Sequence, residues 1–168
     1  MKNLLLSAFA AIAILGSANA FALEVGDDAP CVVLNQIASD GSESEFCIRE
    51  PKAPGQLVLL EFFSATCGDC IRNLPIISGF ADEIRGRATV RAVGIDRSES
   101  LLRNFVSQYR DLLSYDVALD TSRDAKQAYG VVSTPTLFVL NSENKILYKH
   151  SGVLSERDLN EIRALIAE

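Results

Sequence analysis

Apolar and polar positions along this chain change their spacing in a way that marks alternating strands and helices. Leu57-Val58-Leu59-Leu60-Glu61-Phe62-Phe63 is a nearly continuous apolar run, as expected of a central strand covered on both faces. Ala88 to Asp96 reads as a second strand. Between them, Gly68 to Arg85 predicts a helix with a kink at Pro75, which has no N–H for the helical ladder. Glu99 to Arg110 carries Leu101, Leu102, Phe105, Val106 and Tyr109 at helical spacing. A short strand near Tyr115 to Ala118 and a short helix over Arg123 to Tyr129 follow. Thr136 to Leu140 and Lys145 to Lys149 alternate around the turn Asn141-Ser142-Glu143-Asn144, a β-hairpin. The last helix runs from Ser155 to Ala167, with Ser155 as its N-cap and Leu159, Ile162, Leu165 and Ile166 facing inward.

Upstream, Val32-Val33-Leu34 and Phe46-Cys47-Ile48 predict two short strands around the polar turn Ala38-Ser39-Asp40-Gly41-Ser42. Glu50-Pro51-Lys52-Ala53-Pro54-Gly55 breaks regular structure. Strands alternating with helices and closed by a hairpin and a helix predict an α/β sandwich with a mixed sheet. No internal repeat or low-complexity tract interrupts it.

The first residues stand apart. Lys2 precedes the apolar stretch from Leu4 to Leu15, and Ala18-Asn19-Ala20 fits a cleavage site, as does Ala20-Phe21-Ala22. The apolar run is shorter than the roughly 20 residues that span a bilayer. Residues 1–20 are therefore read as a signal peptide that is removed, and residues 21–168 as one domain. No Cys follows the apolar stretch for lipid attachment, so the product is expected to have no membrane span and to be periplasmic. Losing Lys2 leaves 15 basic against 22 acidic side chains, a formal charge of −7, which disfavours nucleic acid as a partner.

Export sets the redox context for four cysteines, because disulfides persist outside the cytoplasm. Cys67-Gly68-Asp69-Cys70 could be a redox dithiol, half of a metal site or a tight structural disulfide. Its position favours the first. Cys67 follows a buried strand and opens a helix, where unsatisfied N–H groups and the helix dipole favour a thiolate. Cys70, one turn on and nearer the interior, suits a resolving thiol. The metal reading lacks a second C-x-x-C, and the single histidine, His150, ends a predicted strand.

Phe62-Phe63-Ser64-Ala65-Thr66-Cys67-Gly68-Asp69-Cys70, followed by Pro75, resembles the active-site segment of the thioredoxin superfamily. Ser133-Thr134-Pro135-Thr136, 65 residues from Cys70 to Pro135, resembles its cis-proline segment. Val25-Gly26-Asp27-Asp28-Ala29-Pro30, the hairpin after it and an extra helix are similar to the exported TlpA/ResA-like branch. The resemblance implies a three-layer thioredoxin-like sandwich with an added N-terminal hairpin. It also implies a thiol–disulfide oxidoreductase that reduces or isomerises disulfides of partner proteins. No cofactor beyond the Cys67–Cys70 disulfide is expected, nor a metal. The partners it implies are protein disulfides and a redox protein that can be membrane-bound, with the chain itself a monomer.

On this pattern Cys67 is the nucleophile, Cys70 the resolving thiol and Glu61 the buried acid that moves a proton at Cys70. Thr134 and Pro135 would bind an extended substrate strand. Thr66 stands where the family usually has Trp, and Gly68-Asp69 replaces Gly-Pro, so Thr66, Gly68 and Asp69 are expected to tune the potential. Asp69 opposes a thiolate at Cys67 by like charge, which points to a reducing protein, or else simply complements the helix dipole. Cys31 and Cys47, on opposite arms of the predicted hairpin, are left to form a structural disulfide or a second redox pair. A copper-carrying chaperone using Cys67, Cys70 and His150 is the rival of another class. A peroxide-reducing enzyme is disfavoured because no Pro- and Thr-bearing loop precedes Cys67.

Overall fold

A computed structural model describes residues 22–167; the predicted signal peptide, residues 1–20, lies outside the described residues. Seven strands form one sheet in the order β2-β1-β5-β4-β3-β6-β7. The strands are β1 (Val33–Ile37), β2 (Glu43–Cys47), β3 (Leu57–Phe63), β4 (Ala88–Gly94), β5 (Asp116–Leu119), β6 (Thr136–Leu140) and β7 (Ile146–Ser151). The helices are α1 (Gly68–Glu83), α2 (Glu99–Gln108), α3 (Asp124–Ala128) and α4 (Glu156–Ala167), with a 3-10 turn at Arg110–Leu112. β3 runs parallel to β4, and β4 to β5, while the remaining pairs are antiparallel. The mixed sheet and the added hairpin are as the sequence predicts.

The apolar run of β3 is fully used. Leu59 and Phe63 enter the core beneath α1, α2 and α4, whereas Val58, Leu60 and Phe62 enter the core on the other side, with Ala125 of α3. The period-2 alternation of a strand thus divides one apolar segment between two layers. Phe62 packs edge-on to Phe138 and against Tyr129, and Phe63 stacks with Phe105 of α2. A side chain at Gly94 would meet Leu102 and Phe63, so glycine permits α2 to close on β4.

Element ends moved more than elements. β1 extends through polar Asn35-Gln36, because it lies between β2 and β5 and needs only one apolar face. α1 runs through Pro75. The segment before the hairpin is held by β7: Gly26 N–H donates to Ile146 at 2.8 Å, and Ile146 N–H to Asp27 at 3.0 Å. Ser155 does cap α4, its hydroxyl accepting from Asp158 N–H at 3.4 Å while Ser155 N–H donates to the Asp158 carboxylate at 2.8 Å.

Candidate active site

The chain leaves β3 at Phe63 and enters α1 at Gly68, and the four residues between them are held by a side chain remote in sequence. Asp96, just past β4, accepts from the Ser64 hydroxyl and from Ala65 N–H, both at 2.8 Å. The parallel pairing of Phe63 with Gly94 brings Asp96 to this loop. Thr66 is exposed, and its hydroxyl lies 3.2 Å from that of Ser64.

Cys67 is the N-cap of α1, and its sulfur accepts from Cys70 N–H at 3.2 Å. A cap atom normally satisfies one of the orphan donors of a first turn, and here that atom is the thiol sulfur. Burial opposes ionisation of Cys67. The contacts of its sulfur with Cys70 and Thr134 and the charge of Arg72 outweigh that, so its pKa falls below the usual thiol range. Cys70 goes the other way: burial, then the neighbouring Cys67 sulfur, push it up to about 12. Both thiols are free, Cys67 partly accessible and Cys70 buried. A partly accessible low-pKa thiol beside a buried high-pKa one can attack a disulfide and later be displaced from it.

Gly68 adds nothing to this environment; a side chain there would point into open space. Asp69 bonds to Arg72. The two charges therefore offset one another at the mouth of the site, and the like-charge argument for Asp69 loses most of its force. Thr134 brings its carbonyl to Cys67, which donates S–H to it at 3.3 Å. The Thr134–Pro135 peptide bond is cis, and Pro135 is buried ahead of β6.

Glu61 is buried on β3, 4% exposed, on the face beneath α1. Burial pushes its carboxyl up to about 7, against the lowering effect of Asn73, whose amide donates to Oε1 at 2.6 Å. The Asn73 carbonyl in turn accepts from Leu154 N–H at 2.9 Å. Glu61 and Cys70 line one small internal chamber.

The sequence-predicted residues Glu61, Thr66, Cys67, Gly68, Asp69, Cys70, Thr134 and Pro135 therefore meet at the end of β3. Asn73, Arg72 and Asp96 belong to the same place and carried no local signal beyond being polar. His150 does not join the thiols: its Nδ1 lies 3.3 Å from Asp158. Among the described residues no cluster of three or more His, Cys, Asp or Glu side chains is placed to hold a metal. Cys31 and Cys47 are bridged to each other across the first hairpin, with Cα atoms 5.4 Å apart.

Residues 24–166 match the Redoxin family. The thiol-disulfide oxidoreductase ResA of Bacillus subtilis is 28% identical over 142 residues, 84% of this chain and 75% of that protein. ResA of Bacillus thuringiensis subsp. konkukian is 26% identical over 140 residues, 83% of this chain and 76% of its own length. Among solved structures, StoA from Bacillus subtilis superposes with a TM-score of 0.62 at 19% identity, covering 83% of this chain and 99% of StoA. The fold is thioredoxin-like, as the residues around the dithiol predict. With the match spanning nearly all the described residues and the dithiol at the N-terminus of α1, the chain belongs to the Redoxin family, as a thioredoxin-like oxidoreductase similar to the ResA proteins.

Proposed function

We propose that this chain is an exported thiol–disulfide oxidoreductase that reduces or isomerises disulfides of partner proteins through Cys67 and Cys70. The observation that carries the reading is the placement of the two thiols, Cys67 part-exposed as the N-cap of α1 and Cys70 buried one turn on. Cys67, held low at the helix N-terminus, attacks a partner disulfide as the thiolate and forms a mixed disulfide, releasing one partner sulfur. Cys70 then loses its proton to Glu61 and attacks the Cys67 sulfur. The Cys67–Cys70 bond forms and the second partner sulfur departs as a thiolate. Thr134 and Pro135 border the Cys67 sulfur and would receive the partner's extended backbone.

The direction rests on the weakness of thiolate stabilisation between the cysteines. The dipeptide Gly68-Asp69 carries no positive group, and Arg72 shares its charge with Asp69. A thiolate stabilised only in part keeps the disulfide form competitive, which suits a reductant. Export rests on the apolar stretch from Leu4 to Leu15 and the small-residue sites at Ala18 to Ala22. The Cys31–Cys47 bridge accords with an oxidising compartment.

A redox titration of the Cys67–Cys70 pair tests the direction, and Cys70→Ser tests the cycle. A potential well below about −200 mV and a stable mixed disulfide on Cys67 in Cys70→Ser are expected. A potential near about −120 mV would make the protein an oxidant and overturn the reductase reading.

A further inference from the structure

One buried polar group beside the dithiol has no part in the cycle described above. Tyr115 is 4% exposed, and its hydroxyl has no hydrogen-bond partner among the described residues. A buried hydroxyl left without a partner is destabilising. The register places it on the face of Glu61: Glu61 pairs with Ala92, Ala92 with Val117, and Tyr115 lies two residues before Val117. Tyr115, Glu61 and Cys70 line the same chamber, whose other walls include Phe63, Leu74 and Phe105. The chamber leaves about 10 Å³ for the centre of a water molecule, close to what one water requires. Asn73 bonds Glu61 at Oε1.

We propose that Tyr115 is a positioning residue for the resolving step, its hydroxyl donating through one water in this chamber to the Glu61 carboxylate. The proposal rests on the dithiol cycle proposed above. Tyr115 can serve only as a neutral donor, because burial and then the Glu61 charge raise its pKa well above the usual phenol range. A hydrogen bond to a carboxylate favours the charged form, so Tyr115 would keep Glu61 able to take the Cys70 proton nearer neutral pH. As Cys70 S–H gives that proton to Glu61, its sulfur bonds to Cys67 and the Cys67–partner bond breaks. The titratable groups facing Glu61 are Cys70 from α1, with Cys67 beyond it, and Tyr115 from the segment before β5. β4 presents Ala92, β6 presents Leu137 and α2 presents Phe105. His150 of β7, paired with Leu137 of β6, has its Nδ1 3.3 Å from Asp158 Oδ1.

Tyr115→Phe keeps the ring and removes the hydroxyl. In the whole mature protein, reduced, the Glu61 carboxyl is titrated by carbon NMR in the parent and in Tyr115→Phe. The proposal expects the midpoint to rise, with proton affinity about threefold to tenfold higher. Reduction of a cystine-bridged peptide should slow by the same factor below the midpoint and converge with the parent near pH 9. In a Glu61→Gln background, Tyr115→Phe should change nothing. An unmoved Glu61 midpoint overturns the proposal. So does slowing that is equal at all pH values or equal in the Glu61→Gln background, which is what a merely structural tyrosine gives. The NMR titration needs no turnover, so it still judges Tyr115 if the protein proves not to cycle at all.

Discussion

The two cysteine pairs use one residue type for opposite ends. Cys31 and Cys47 flank the first hairpin, where Ile48 N–H already bonds to Val32 at 3.2 Å and the backbone holds both arms in place. Their bridge joins the arms of the hairpin that β1 attaches to β5. Cys67 and Cys70 stand at a helix N-terminus, where the backbone presents donors to sulfur and burial differs between the two atoms. The first pair is bridged and the second is free; in the function proposed above the first stays joined and the second alternates. Location makes that difference, since the sequence offers four identical side chains.

Breaking each pair sharpens the contrast. The largest effect is expected at the dithiol: Cys67→Ser should abolish disulfide exchange, and Cys70→Ser should arrest it at the mixed disulfide. Both are read by reduction of a peptide disulfide and by mass spectrometry of the adduct. Replacing Cys31 and Cys47 together by Ala should leave exchange within about twofold while lowering stability by about 2–4 kcal/mol, measured by denaturant unfolding. Exchange lost in that variant would mean the outer pair relays electrons.

Glu61 makes the stability of the fold depend on pH. Its carboxyl is raised from 4.5 to about 7 in the fold, so the native state holds the proton more tightly than the unfolded chain. Stability from the neutral form is full below about pH 4.5 and is lost as pH rises through about 7. At ~1.4 kcal/mol per pH unit, that separation is worth about 3 kcal/mol. Unfolding of Glu61→Gln and parent should therefore diverge between pH 5 and pH 8, with the Gln variant gaining relative to the parent at the higher pH. Parallel curves would place the Glu61 carboxyl near the ordinary range.

The smallest expected effect is at Arg72. Its guanidinium is among the lesser influences lowering Cys67 and is shared with Asp69. Arg72→Ala should raise the Cys67 pKa only slightly, as an exposed charge in high dielectric does, with the change shrinking further at high salt.

The legibility of this site in the sequence follows the range of its contacts. Cys67, Cys70 and Glu61 lie within ten residues, on one strand and the first turn of one helix, so spacing and apolar pattern place them. Thr134-Pro135 emerges from motif resemblance, not from periodicity. Asp96 gave no warning, because its role depends on β4 lying parallel to β3 and bringing position 96 to the Ser64-Ala65 loop. Asn73 looked like a polar residue on a helix, yet it is 1% exposed and joins Glu61 to Leu154, 81 residues further on. Asp69 is read differently once its neighbours are placed, for a shorter-range reason: Arg72 is one turn away and pairs with it. Strand ends were misplaced where polar residues on the outer face of β1 and β2 mask the alternation.

The central claim is the division of acidity between Cys67 and Cys70. Its most direct measurement is alkylation of the fully reduced protein by iodoacetamide across pH 5 to 10, with the modified cysteine assigned by peptide mass spectrometry. The account predicts that Cys67 is alkylated alone, with a midpoint below the ~8.5 of a free thiol, while Cys70 stays unmodified throughout. Cys70 reacting first, or Cys67 titrating at or above the free-thiol value, would contradict it.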